Sequence, residues 1–133
     1  MNLQWQRFAD FFQLYEALGN VPRLFYIIGE THHCYIGSVG GREGQGGLAV
    51  RYQQQYVDRA IAIFGNDTPN EQPAFASVVT DPQITIPDIE PIERQIQEVF
   101  LTTQGRENAL FTPRGQVPNY ELIHTGDRPA FLL

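Results

Sequence analysis

The sequence lacks lysine altogether, so its 9 basic residues are all arginines. Because arginine presents a planar fork of N–H donors, an anion site in this chain must use arginine or backbone N–H groups. The single cysteine, Cys34, excludes an intramolecular disulfide, and a zinc cage built on it would need several histidines placed around it. Long apolar runs are also missing, since no stretch approaches the roughly 20 residues that cross a bilayer. We therefore expect no membrane span.

The remaining composition is that of one packed domain. The 133 residues are 42% hydrophobic and 12% aromatic, which is enough for a single core and excludes a disordered chain. The chain begins MNLQWQRFADFF, with a charge at the seventh residue and no apolar stretch before a small-residue cleavage site. This pattern is unlike a secretory signal, and we expect a cytoplasmic protein.

The net charge of −6 is concentrated in the middle of the chain. Residues 67–107 carry eight acids and two arginines, a difference of six, whereas the segments on either side are balanced. An isoelectric point near 4.9 counts against a generic nucleic-acid binder, which is usually basic. It leaves room for a local site for nucleic acid.

Hydrophobic periodicity predicts three strands and three helices. The apolar spacing predicts helices over residues 3–18, 48–65 and 88–104, and continuous apolar runs predict strands over 23–29, 34–39 and 75–80. The resulting fold class is α/β (α+β), with a small, three-stranded, mainly antiparallel sheet flanked by helices. We expect one domain over residues 1–133, with a helical extension (1–20), a core (23–110) and a tail (111–133).

Four side chains with functional groups suited to catalysis lie on the predicted strands and helices. Tyr26 lies in the first strand (LFYII) and Tyr35 in the second (CYIGSV), so an antiparallel hairpin could bring the two phenols together. Arg51 follows Leu48 by three residues on the next helix. On the last helix, Glu93 falls about 60° from the centre of the apolar stripe at 100° per residue, so it leans toward the sheet.

These residues resemble the GIY-YIG nuclease family. The family has one tyrosine in a G-I-Y strand, a second in Y-[IV]-G, an arginine on the next helix and a glutamate on a later helix. Here Tyr35, Ile36 and Gly37 reproduce the second motif, and the likeness covers residues 23 to about 110. Leu-Phe replaces Gly-Ile in the first motif, and Ser38 stands where many members have lysine.

The resemblance implies a metal-dependent endonuclease acting on DNA. Glu93 would bind one Mg²⁺ or Mn²⁺ ion, with Glu98 as the alternative ligand, and Arg51 would neutralise charge on the phosphate. Tyr26 would take the proton of the attacking water, and Tyr35 would position that water or the phosphate. Further residues are expected to contact the substrate, with Asn108 as the counterpart of the family's asparagine: Gly37, Ser38, Arg42, Tyr56 and Asn108.

Two other functions fit the same sequence. The acidic middle segment and the altered first motif are compatible with a GIY-YIG-like scaffold that has lost cleavage and serves as a binding or regulatory module. The glycine-rich residues 37–47 could instead bind a nucleotide, although they match neither G-x-x-x-x-G-K-[ST] nor G-x-G-x-x-G. A protein partner or a second copy of the chain could use the loop around Arg42 or the proline-rich tail.

Overall fold

A computed structural model of the chain describes residues 1–30, 33–42, 47–48 and 72–132. The strands are β1 (Asn2–Phe8), β2 (Leu24–Ile28), β3 (Tyr35–Val39), β4 (Ala74–Val78) and β5 (Ile123–Gly126). The helices are α1 (Phe11–Leu18) and α2 (Ile89–Gln104). Short 3₁₀ turns occupy residues 86–88, 106–108 and 130–132. Of the helix predicted over residues 48–65, only residue 48 belongs to the part of the chain that the structure describes.

The described strands form one sheet in the order β3-β2-β4-β1-β5. β2 pairs antiparallel with both β3 and β4, and β4 pairs antiparallel with β1. β5 runs parallel to β1. The mixed α and β class is confirmed, but the expected three-stranded sheet is wrong, because the two ends of the chain add β1 and β5 to the three predicted strands.

The N-terminal segment is a strand followed by a helix, so the prediction of one helix over residues 3–18 is wrong for its first half. In β1, Leu3 and Trp5 are buried while their neighbours are exposed, which is the two-residue period of a half-covered strand. Asp10 then starts α1, because its Oδ1 accepts a hydrogen bond of 2.8 Å from the backbone N–H of Gln13. The helix ends at Gly19, as predicted.

The helices α1 and α2 pack on opposite faces of the sheet. Phe11 and Leu14 of α1 pack with Tyr26 and Ile28 on one face. The larger core lies on the other face, where the apolar stripe of α2 packs against β1 to β4; this core includes Trp5, Phe25, Ile27, Ile36, Phe75, Ile92, Ile96 and Phe100. All five residues of β2 are buried, so this strand is covered on both faces.

Candidate functional site at the edge strand β3

Tyr26 and Tyr35 lie together, as the hairpin predicts. In the β2–β3 ladder Tyr26 is opposite Gly37, and Tyr35 is opposite Ile28. Tyr35 and Gly37 are two positions apart along β3, so the two phenols project from the same face of the sheet. Their rings stack with centroids 6.0 Å apart and an interplanar angle of 28°. The tyrosine pair therefore belongs to the α1 face of the hairpin.

The ring of Tyr26 occupies the space that a side chain at position 37 would need, and Gly37 leaves that space open. A Cβ atom at residue 37 would lie 2.6 Å from both Cζ and Oη of Tyr26 and 2.9 Å from Cε1, far inside ordinary carbon contact. The phenol thus lies directly over the backbone of β3. Because β3 is the outermost strand at this end of the described sheet, Tyr26 extends its hydroxyl from the neighbouring strand β2 toward the sheet edge. The glycine of the second motif and the tyrosine of the first are parts of one packing arrangement.

Glu93 reaches the same strand from the opposite face. It lies on α2, whose apolar residues pack on the face away from Tyr26. Its Oε1 accepts a hydrogen bond of 3.0 Å from the hydroxyl of Ser38, the residue that follows Gly37. Successive side chains of a strand point to opposite faces. The phenol of Tyr26 and the carboxylate of Glu93 therefore flank two consecutive residues of β3, one from each face.

Other polar groups of α2 extend this contact along β3. The buried amide of Gln97 donates a 3.1 Å hydrogen bond to the backbone carbonyl of Ile36. The carboxylate of Glu90 occupies the space that a side chain at position 41 would need, next to Gly41. Glu90, Glu93 and Gln97 are spaced by three and four residues, so one face of the helix presents all three to the edge strand. Glu90 and Gln97 were not among the predicted site residues, although their spacing from Glu93 was a usable signal.

The structure distinguishes the two candidate glutamates by their neighbours. Glu98 forms an ion pair of 2.9 Å with Arg94, one helical turn earlier, and its side chain is 36% exposed. Such a pair on a helix surface contributes only a few tenths of a kcal/mol, roughly 0.3–0.5. Glu93, by contrast, contacts β3. The position of Glu93 agrees with the helical angle that placed it nearest the sheet.

Asn108 lies at the beginning of β3, away from Glu93. Its backbone carbonyl accepts a 2.8 Å hydrogen bond from the N–H of Cys34, and Leu110 donates back to the carbonyl of Cys34. Its side-chain amide donates to the carbonyl of Gln104 at the end of α2. Ser38 is four residues from Cys34, about 13 Å along a strand. Asn108 therefore borders the same strand but occupies its other end.

The remaining predicted residues are exposed or fall outside the described chain. Arg42 is exposed just beyond Gly41. Three predicted features lie outside the described residues: Arg51, Tyr56 and residues 43–46 of the glycine-rich loop. The structure therefore does not test the predicted guanidinium or the nucleotide-binding alternative.

Cys34 is buried, and burial raises the pKa of its thiol far above the ordinary value, with the charge of Glu30 as a smaller cause. A thiol in such surroundings keeps its proton, and the thiolate is the nucleophilic form of cysteine.

The donor set at β3 suits a hard cation rather than a zinc cage. No group of three or more His, Cys, Asp or Glu side chains converges within the described ranges. Mg²⁺ commonly takes one or two carboxylates and completes its shell with water. Glu93, held by Ser38, and Glu90 one turn before it provide carboxylate oxygens of that kind on one helix face. The residues present thus fit a largely hydrated divalent ion.

Comparisons with known proteins add no relatives. No family model matches this chain, no curated protein matches it, and no solved structure matches its fold. Among the residues that the structure describes, no helix combines the length and apolar character needed to cross a membrane.

Proposed function

We propose that the protein is a metal-dependent phosphodiesterase that acts on DNA through a GIY-YIG-like site at the edge strand β3. One observation carries the proposal: the phenol of Tyr26 lies over Gly37 while Glu93 bonds to Ser38. Two groups distant in the sequence thereby flank two consecutive buried residues of the edge strand, one from each face. A phenol and a carboxylate beside one strand are two of the groups that the family resemblance calls for.

Each side chain has a distinct task in this proposal. Glu93 would hold a Mg²⁺ or Mn²⁺ ion with help from Glu90, and the bound ion supplies positive charge for the phosphate and its leaving oxygen. Ser38 fixes one oxygen of Glu93, so the other oxygen keeps a defined direction. Arg51, on the segment that follows Leu48, would bind phosphate oxygens with its two-pronged guanidinium.

The tyrosines act on the water. Tyr26 would take the proton of the attacking water, and Tyr35, half-buried on the outermost strand, would orient that water or the phosphate. A phenol ordinarily has a pKa near 10, so Tyr26 needs a nearby cation to act as a base at neutral pH. The proposal therefore requires Arg51 or the metal ion beside this hydroxyl during the reaction.

Plasmid nicking with Mg²⁺ or Mn²⁺ tests the activity. We expect Glu93→Gln, Arg51→Ala and Tyr26→Phe each to lower the rate by about 10²-fold or more, since each removes charge or proton transfer from the transition state. Glu98→Gln is the matched control: it makes the same chemical change on the same helix, on a side chain paired with Arg94, and should retain full activity. Equal background cleavage by the wild type and all variants would reject the enzyme.

Metal binding can be measured without turnover. Mn²⁺ titration followed by its electron paramagnetic resonance signal should show one saturable site in the wild type and in Glu98→Gln, and loss of that site in Glu93→Gln. Thermal unfolding of each variant without metal checks that the variant is still folded. Added Mn²⁺ should raise the unfolding temperature only of the variants that bind it, because a bound ion stabilises the folded state. Binding that persists in Glu93→Gln would remove this carboxylate from the site.

A second candidate is a binding or regulatory module that has lost cleavage. The observation that favours it is the burial of Tyr26, which is 0% exposed and has Phe11 of α1 6.2 Å away between ring centroids. A general base must contact the water it activates. This module predicts DNA binding, measured by fluorescence anisotropy at low and physiological salt, with no nicking under any metal. Binding that survives Tyr26→Phe, together with zero turnover, would favour the module over the enzyme.

A further inference from the structure

A hydrogen bond between Trp5 and His124 links the first and last strands of the sheet. Trp5, the only tryptophan, is 2% exposed, and its indole N–H donates to Nδ1 of His124 over 2.9 Å. The two rings are 6.0 Å apart between centroids. An imidazole nitrogen that accepts a hydrogen bond carries no proton, so His124 is neutral with its proton on Nε2.

This bond lies where the C-terminal segment is attached to the fold. Within the described sheet β5 pairs only with β1, through bonds such as Ile123 N–H to Met1 O (2.9 Å), and Asp127 N–H donates to Trp5 O just beyond the strand (3.0 Å). The chain then enters the 3₁₀ turn at 130–132, where Phe131 packs edge-on against Phe100 of α2 at 5.2 Å. The Trp5–His124 hydrogen bond thus adds a link between side chains to a backbone pairing of only four residues.

The surroundings of His124 disfavour a positive charge. The titratable or charged groups described around the ring are Arg128, whose guanidinium donates to the carbonyl of His124, and Tyr120, which lines the same cavity. α2 contributes Gln95, Ile96 and Val99, and the C-terminal turn contributes Phe131 and Leu132. Burial, and secondarily the charge of Arg128, lower the pKa of His124 from 6.5 to about 4. The cavity beside the ring measures about 220 Å³.

We propose that the Trp5–His124 hydrogen bond is an acid-sensitive latch that holds β5 and the C-terminal turn on the sheet, and that protonation of His124 opens it. A protonated imidazole carries N–H groups on both nitrogens and cannot accept from the indole. Two donors then face each other, and the neighbouring cavity gives the ring room to turn away. The latch is independent of any activity at β3.

The linkage has a defined sign and an upper limit. Because the folded state lowers the pKa of His124, the contribution of the latch is complete above pH 6.5 and falls as the pH drops toward 4. A difference of 6.5 − 4 = 2.5 pH units weakens the closed state by at most about 300-fold. The ring is only partly buried, so solvent screening makes the effect smaller than this limit.

Fluorescence of the single tryptophan reports the latch directly. We expect Trp5 emission of the full-length protein to change in a step between pH 6.5 and pH 4, while far-UV circular dichroism stays constant through the same range. His124→Gln keeps an acceptor for the indole but does not titrate, so its step should be absent. His33→Gln, a change at an exposed histidine, should leave the step in place. Hydrogen exchange corrected for intrinsic rates should rise in residues 123–132 at the acidic end.

Three results would overturn the latch. A fluorescence step that persists in His124→Gln assigns it to another group. Coincident loss of fluorescence and ellipticity at one pH indicates global unfolding rather than local release. If His124→Gln does not fold, proton NMR of the wild-type His124 ring decides the matter, because titration at the ordinary value near 6.5 contradicts a ring bonded through Nδ1 in the folded state.

Discussion

Gly37→Ala is the sharpest test of the packing that places the Tyr26 hydroxyl over β3. The new methyl carbon would lie 2.6 Å from Cζ and Oη of Tyr26, and 3.4 Å is the lower limit of ordinary contact. One group must therefore move by about 0.8 Å, the difference between these distances. Gly37 does not need a left-handed backbone, so alanine at this position meets no backbone strain of that kind.

The cost follows from how little Tyr26 can move. Its side chain is fully buried, with the rings of Phe11 and Tyr35 about 6 Å away between centroids. Overpacking of this kind costs about 1–3 kcal/mol of unfolding free energy. We expect the upper half of that range, because the clash involves a rigid ring rather than the end of a flexible chain.

A double-mutant cycle isolates the contact. Unfolding in urea gives the stabilities of Gly37→Ala, Tyr26→Leu and the double variant, and removal of the ring should make alanine at 37 almost harmless. The expected coupling between the two positions is about 1 kcal/mol or more. Ser38→Ala is the matched control, because its side chain is on the opposite face and should show no coupling with Tyr26→Leu.

Two outcomes would refute this reasoning. The first is a Gly37→Ala variant within about 0.5 kcal/mol of the wild type, the usual additivity error. The second is a cost that is the same whether residue 26 is tyrosine or leucine. In either case the phenol is not seated over Gly37, and the structural support for the site at β3 is lost with it.

Three further outcomes follow from other contacts. Gln97→Leu should cost about 1–3 kcal/mol in chemical denaturation, because it leaves the carbonyl of Ile36 without its amide donor. Asp10→Ala should cost about 1 kcal/mol through loss of the α1 cap, whereas Asp10→Asn should be nearly neutral. The backbone and hydroxyl of Thr85 lower the pKa of Asp88, so its contribution holds above the ordinary value of 3.8 and is lost as the pH falls through the lower folded value. Asp88→Asn should therefore flatten the acid limb of a stability profile.

Sequence patterns were reliable where burial is local and continuous. The run around Tyr26 has apolar residues on both faces and is the fully buried β2, and the stripe through Ile92 and Ile96 is the buried face of α2. β1 was misread because Leu3 and Phe8 were grouped with the apolar residues of the helix that follows, whereas Leu3 and Trp5 have the two-residue period of a strand. β5 has no clear alternation, and its pairing with β1 joins residues about 120 positions apart.

The site was predicted in its members more than in its arrangement. Spacing along a hairpin anticipated the meeting of Tyr26 and Tyr35, and a helical wheel anticipated that Glu93 leans toward the sheet. Neither rule reveals that Gly37 makes room for the phenol, or that Ser38 binds the carboxylate from the other face. Those contacts depend on which strand is outermost, and this is a property of the whole sheet rather than of any short segment.

At both ends of the described sheet, several backbone groups of the edge strand already have hydrogen-bond partners. At β3, Cys34 is bonded to the segment 108–110 and Ile36 to the amide of Gln97. At β5, the carbonyls of His124 and Gly126 accept from Arg128. Unpaired N–H and C=O groups on an edge strand can pair with another chain and cause aggregation, and these hydrogen bonds occupy some of those groups. Adding a strand at either of these edges would therefore require breaking hydrogen bonds that the fold already uses.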